Sequence, residues 1–309
     1  MTNGEPPRIT IVTPSLDQAR FLPRTLDSVH GQGIEGLEHL VFDGGSRDGS
    51  RDVLAARGDR LRWWSGPDRG QSHAVNKGFA TGGAGVFGWL NSDDLYAPGA
   101  LAAVLAAFDA DPTIDILYGD ADYVDEEGRF LAACPVEDWS PERLLFTCFL
   151  AQPAVFLRRR VLERCGLLDE SLHYAMDYEY WLRAAAAGMR WARLPMRLAS
   201  CRVHPAAKTS RGRRVHNAES FEARRRHARI LPEACIREFV QIDLAERGLD
   251  PRRHPALHRL VAVPRALAVA TRYSPGSIPQ LLRWQAGFLA RWRSPDGHGA
   301  ARSRPGGTP

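Results

Sequence analysis

Asp93 and Asp94 stand side by side where the apolar run Val86-Phe87-Gly88-Trp89-Leu90 gives way to Asn91 and Ser92. Neighbouring carboxylates repel, and no arginine or lysine follows in the next turn to neutralise them. A cation from elsewhere is therefore expected here. Read alone, the pair also fits a solvated turn that caps the helix after it. Three more polar clusters share this setting, each closing a short strand-like run: Thr13 to Ser15, Asp43 to Ser46, and Gly66 to Gly70. Any one of them is an ordinary turn. Their recurrence is informative, because an open α/β sheet binds ligands beyond the carboxyl ends of its strands. The four clusters are expected to converge on one crevice.

The elements that would position them can be read from the hydrophobic pattern. RITIVTP, EHLVFD, RLRWWS, AGVFGWL and IDILYGDADYV read as strands, rich in β-branched and aromatic residues. Between them, helical spacing appears at Leu22, Leu26 and Val29, in VLAAR behind Asp48, Ser50 and Asp52, in QSHAVNKGFATG, and in PGALAAVLAAFDADP. This alternation predicts an α/β domain with a mostly parallel sheet. After it, SPERLLFTCFLAQPAVFLRRRVLERCG mixes both patterns, and MDYEYWLRAAAAG is a strong helix.

Composition narrows the class. The chain has 309 residues, 44% of them hydrophobic and 25% charged, which suits one large globular domain with an appendage. The opening MTNGEPPRIT lacks the apolar run of a secretory signal. The five cysteines form no CxxC pair, so reduced thiols and a cytoplasmic location are expected. Residues 211–309 carry 19 Arg or Lys against 8 Asp or Glu, whereas residues 1–210 have a net charge of −6. Expected boundaries are a catalytic domain over 1–210, a basic helical extension over 211–295, and an unstructured tail over 296–309. A dinucleotide oxidoreductase needs a GxGxxG turn after the first strand, and here that turn reads TPSLDQ. A nucleic-acid binder is disfavoured by the acidic first domain and the lack of a binding motif.

Taken in order, ITIVTPSLDQARFLPRTLDSV, VFDGGSRDGS, WSGPDRGQSHAVNKGF, GWLNSDDLYAPGAL, LYGDAD and ERCGLLDESLHYAMDYEYWLRAAAAG resemble the family-2 glycosyltransferases, over roughly residues 8–210. That resemblance implies the GT-A fold, a Rossmann-like mixed sheet flanked by helices. It implies an inverting enzyme that moves a sugar from a nucleotide-sugar donor, of the UDP type first, to a glycan or lipid-linked glycan acceptor. Asp94 resembles the ligand of a divalent metal, Mn²⁺ or Mg²⁺, and Asp93 a contact to ribose or donor sugar. Thr13, Pro14, Ser15 and Asp43 resemble the pocket for the nucleotide base. Asp68, Arg69 and Lys77 resemble a second donor-binding segment, in which cations would complement the diphosphate. His204 falls where such enzymes place a late metal ligand. Two departures bear on the donor sugar: His73 where GQSDA is frequent, and Arg47 where GST is frequent.

By the same resemblance, Asp177 is the general base that takes the acceptor proton. Glu179, two residues on, cannot share its helix face. Of the tryptophans, Trp139 is the expected acceptor contact. The extension interleaves arginines with Trp, Phe and Leu, as an interfacial segment does. Peripheral docking on the cytoplasmic membrane face is expected of it, with packing onto the catalytic domain or a homodimer contact as alternatives. A GT-A-like domain that has lost catalysis is the competing function. Joint retention of Asp43, Asp93, Asp94, Asp177 and His204 argues against it.

Overall fold

The computed structural model describes residues 6–208 and 212–293, so the segment 296–309, expected to lack structure, lies outside the described residues. The chain divides into two compact units, residues 1–227 and 228–309. The first unit begins with β1 (Ile9–Ser15), α1 (Leu22–His30), β2 (Leu37–Asp43), α2 (Ser50–Ala55), β3 (Arg62–Ser65), α3 (Gln71–Thr81) and β4 (Val86–Trp89). The short β5 (Leu95–Tyr96), α4 (Ala100–Ala110), β6 (Ile116–Val124), β7 (Phe130–Ala133) and α5 (Pro141–Phe146) follow. It closes with β8 (Val155–Arg158), α6 (Arg159–Cys165), α7 (Met176–Ala186), β9 (Trp191–Arg202) and α8 (Arg213–His227).

These strands form one nine-stranded sheet in the order β3-β2-β1-β4-β8-β6-β9-β5, with β7 pairing on β6. β1 is buried along its whole length because parallel neighbours flank it on both sides, β2 and β4. Most paired residues are in parallel register, in β3-β2-β1-β4 and again in β6-β9. The antiparallel β8 is inserted between β4 and β6. Helices cover both faces. One hydrophobic cluster joins Val75 and Phe79 of α3 to Trp181 and Leu182 of α7, and another joins Leu101, Val104 and Phe108 of α4 to Ile11 and Phe156. Each such buried side chain contributes roughly 1.5–3 kcal/mol. α3 lies so close on β1 that a Cβ at Gly78 would stand 2.2 Å from Val12 Cγ1, which leaves room only for glycine.

Three strands, β5, β7 and β9, were not legible in the sequence. β9 carries Pro195, Arg193 and Arg197, which mask a strand period. The arginines are tolerated because they pair with β6 and its surroundings: Arg193 with Asp120 at 2.7 Å and Asp138 at 2.6 Å, Arg197 with Asp122 at 2.9 Å. β7 is short and exposed throughout. The first unit also continues past residue 210 to His227. α8 belongs to it because Ala223 is buried in its core and Arg224 donates to the Tyr178 hydroxyl of α7 at 3.0 Å.

The second unit contains α9 (Glu233–Glu246), α10 (Pro255–Tyr273) and α11 (Ile278–Arg293). Leu231, Ile236, Val240, Leu244, Ala270 and Leu281 are buried in it, and Asp243 bridges Arg247 at 3.1 Å and Arg265 at 2.6 Å. Among the described residues, no helix is long and apolar enough to cross a membrane.

Candidate functional site

The strand ends open on one cleft of about 960 Å³, lined by Pro14, Ser15, Asp68, Asn91, Asp93, Asp94 and Asp177 among others. The acidic pair lies between β4 and β5, and β5 pairs with β9 at the edge of the sheet. Asp94 is buried, with Oδ1 accepting the Arg202 backbone N–H at 2.9 Å and Oδ2 accepting from Asn91 Nδ2 at 3.2 Å. Burial first, and the charge of Asp93 second, push its carboxyl well above the usual range. The Arg202 guanidinium does not face the pair squarely. Its Nε donates to the Asp93 carbonyl at 2.8 Å and its Nη1 to the Asp125 carbonyl at 3.3 Å.

Asn91 is saturated. Its Oδ1 accepts from Gln71 Nε2 at 2.7 Å and Trp89 Nε1 at 2.8 Å, while Nδ2 also reaches Gln152 at 3.1 Å. Lys208 Nζ donates to Gln71 Oε1 at 3.0 Å, so a line of amides runs from Lys208 to Asp94. Two cleft-lining polar atoms, Ser15 Oγ and Arg202 Nη2, are buried without a hydrogen-bond partner among the described residues. Buried polar atoms cost free energy unless something completes them.

Asp177 is the second residue of α7, and its Oδ1 accepts the Tyr178 backbone N–H at 2.7 Å. Burial raises its pKa, and the Tyr178 N–H, His216 and Lys208 work against that rise. Glu179 is buried away from the cleft, paired with Arg183 at 2.7 Å and His227 at 2.9 Å. The start of α7 is fixed by a residue that sequence reasoning missed. Glu219 of α8 accepts the N–H groups of His173, Tyr174 and Ala175 at 2.9, 2.6 and 2.9 Å. No sequence signal joins Glu219 to Ala175, since the contact spans 44 positions.

The other expected site residues take varied places. Thr13 lies behind the wall, its Oγ1 3.0 Å from His39 Nε2. The Asp43 carboxylate is occupied by its own turn, accepting from the backbone N–H of Gly45 at 3.1 Å and Ser46 at 3.0 Å, and from Ser65 Oγ at 2.6 Å. Arg69 leans outward onto Glu170 at 2.5 Å. Neither Arg69 nor Lys77 lines the cleft. His204 is buried behind the acidic pair, with Nε2 3.0 Å from Asp93 Oδ2 and its ring against Phe21. Trp139, the expected acceptor contact, is half-buried, stacks on Trp191 with centroids 4.1 Å apart and does not line the cleft. Among the described residues, no three His, Cys, Asp or Glu side chains group closely enough to hold a metal ion unaided.

Residues 10–155 match the family model described as glycosyl transferase family 2. The chain is 32% identical over 212 residues to the O-antigen biosynthesis protein RfbC of Myxococcus xanthus, covering 67% of this chain and 16% of that protein. It is 30% identical over 184 residues to the PGL/p-HBAD biosynthesis glycosyltransferase of Mycobacterium bovis, covering 57% of this chain and 69% of that one. Among solved structures, S. aureus TarS 1–349 in complex with UDP-GlcNAc superposes with a TM-score of 0.61 at 15% identity, covering 79% of this chain and 74% of that one. The mannosyltransferase PcManGT from Pyrobaculum calidifontis, in complex with GDP-Man and Mn²⁺, does so with a TM-score of 0.51 at 21% identity, covering 94% and 82%. These structural likenesses speak for the GT-A fold, and the sequence relatives for the family. The chain belongs to glycosyltransferase family 2.

Proposed function

We propose that this chain moves a hexosyl group from a nucleoside-diphosphate sugar, with UDP the first candidate carrier, to an acceptor hydroxyl on a glycan or lipid-linked glycan. One observation carries the reading: a single cleft holds the Asp93–Asp94 pair and the partly exposed carboxylate of Asp177. Asp177 takes the hydroxyl proton as the acceptor oxygen attacks the anomeric carbon. The anomeric C–O bond breaks, and its electron pair leaves with the diphosphate. One displacement inverts the anomeric centre, so no covalent sugar–enzyme intermediate is formed.

The acidic pair fits a divalent cation, Mn²⁺ or Mg²⁺, because it offers hard oxygen donors and Asp94 is pushed toward protonation without one. Asp94 would hold the ion, and His204 would act on it through Asp93. Such an ion, when bound, offsets the charge that develops on the diphosphate. Ser15 Oγ and Arg202 Nη2, buried without a hydrogen-bond partner among the described residues, are polar atoms that a ribose or phosphate oxygen would complete once the side chains turn toward the cleft. Pro14, Ser15 and Asp68 would face the nucleotide, with Thr13 and Asp43 shaping that wall from behind. In the second unit, Leu257, Leu260 and Leu282 are exposed among arginines, which supports peripheral contact with an anionic membrane face. Removing that unit for a vesicle assay requires a cut after His227, because an earlier cut strips α8.

The test is hydrolysis and binding of a nucleotide-sugar panel, UDP- and GDP-linked, with and without Mn²⁺. Metal-dependent turnover of one donor is expected. Neither binding nor hydrolysis of any donor would overturn the reading.

A further inference from the structure

The two ends of the cleft differ in chemistry. Around Asp93 and Asp94 the wall is amide, carboxylate and guanidinium. Around Asp177, one side of the wall is carbon and sulfur, opposite Lys208, His173 and Tyr174. Met176 precedes the carboxylate, burial and then the charge of Asp177 raise the Cys148 thiol to about 12, and Phe149 and Leu150 continue the wall. Val136 completes it, at the end of a segment that leaves β7 directly. β7, which ends three residues before Val136, presents Phe130 and Leu131 at 64% and 53% exposure.

Glycan hydroxyls are bound by amides, carboxylates and charged side chains, which this wall does not offer beyond Asp177, Lys208 and the aromatic pair His173 and Tyr174. Apolar surface left continuous with a reaction centre marks the part of a ligand that it shields from water. We infer that the acceptor is an amphiphile, whose reactive hydroxyl reaches Asp177 while an alkyl or aryl group lies along Val136, Cys148 and Leu150 toward β7. This inference rests on the reading of Asp177 as the acceptor-side base. The occupant is the aglycone rather than the donor, because the polar end already provides for the nucleotide.

Each methylene moved from water onto such a wall tightens binding roughly fourfold. The experiment uses the full chain and matched octyl and methyl β-glycosides of glucose, galactose, mannose and N-acetylglucosamine, below the micellar concentration. Binding is read by calorimetry, then KM with the donor. At least tenfold tighter binding of the octyl member is expected for one or more sugars. Val136→Asp should remove that preference while leaving methyl-glycoside binding unchanged. Equal affinity across every pair, or an octyl preference that survives Val136→Asp, overturns the inference. Octyl preference without turnover of any donor upholds it and counts instead against the transferase reading.

Discussion

Glu219 accepts the backbone N–H of Ala175 at 2.9 Å, two residues before Asp177, and so ties α8 to the turn that aims the candidate base. With the N–H groups of His173 and Tyr174 also on this carboxylate, three donors depend on one side chain. Glu219→Ala should lower stability by roughly 1–3 kcal/mol and kcat by tenfold or more, with donor affinity kept. Glu219→Gln, which retains an acceptor oxygen, should recover part of kcat. Denaturant melts and steady-state kinetics on both variants check this, and an unchanged kcat in Glu219→Ala would remove the positioning role.

Asp177 must be ionised to accept a proton, and burial raises its pKa. Lowering the pH protonates it, so the acid limb of kcat/KM should fall away above the usual carboxylate range. Asp177→Asn should lose roughly 10²- to 10⁴-fold in rate, keep donor binding, and show no such limb. A variant that turns over at the wild-type rate would exclude this residue.

Asp94 is a buried carboxylate beside a second one. Replacing it by asparagine removes that repulsion but sets an NH2 group against the Arg202 N–H or Asn91 Nδ2. Asp94→Asn should lose both the Mn²⁺-dependent rise in melting temperature and the Mn²⁺ dependence of donor binding. Thermal scans and donor binding, each with and without Mn²⁺, check the two effects. Retained metal dependence would place the cation elsewhere.

His39 lies between Thr13 and His30 with its pKa held down to about 3, chiefly by burial and then by His30. The unfolded chain binds a proton near 6.5 and the folded chain does not until about 3. Between those values the unfolded state therefore carries more protons, so stability falls as pH falls, by up to roughly 1.4 kcal/mol per pH unit. His39→Gln should flatten that slope in chemical denaturation at a series of pH values. An unchanged slope would assign it to other groups.

The parallel core was legible because its strands and helices are local and strongly patterned, and RITIVTP or QSHAVNKGFATG cannot bury its apolar side otherwise. Asp93 and Asp94 stand out by residue type and order and Asp177 only through the family resemblance, and the structure brings all three to one cleft. What the sequence hid depends on distant partners. The strand character of Trp191 to Arg202 is masked by arginines that only pair once Asp120 and Asp122 are beside them. Arg202 and Glu219 act through backbone atoms far along the chain, which leaves no motif. Arg69 and Lys77 suited a diphosphate by charge, but whether a side chain faces the cleft is set by the packed turn or helix that carries it.

The hydrogen bond between Asp94 and the Arg202 backbone spans 108 positions. A chain emerging from the ribosome thus holds both aspartates long before the strand that seats them exists. Loop closure of that length is entropically slow relative to forming the early βαβ layers. Competence for donor capture should arrive as a late, cooperative event in biosynthesis, when the last strand docks against the others.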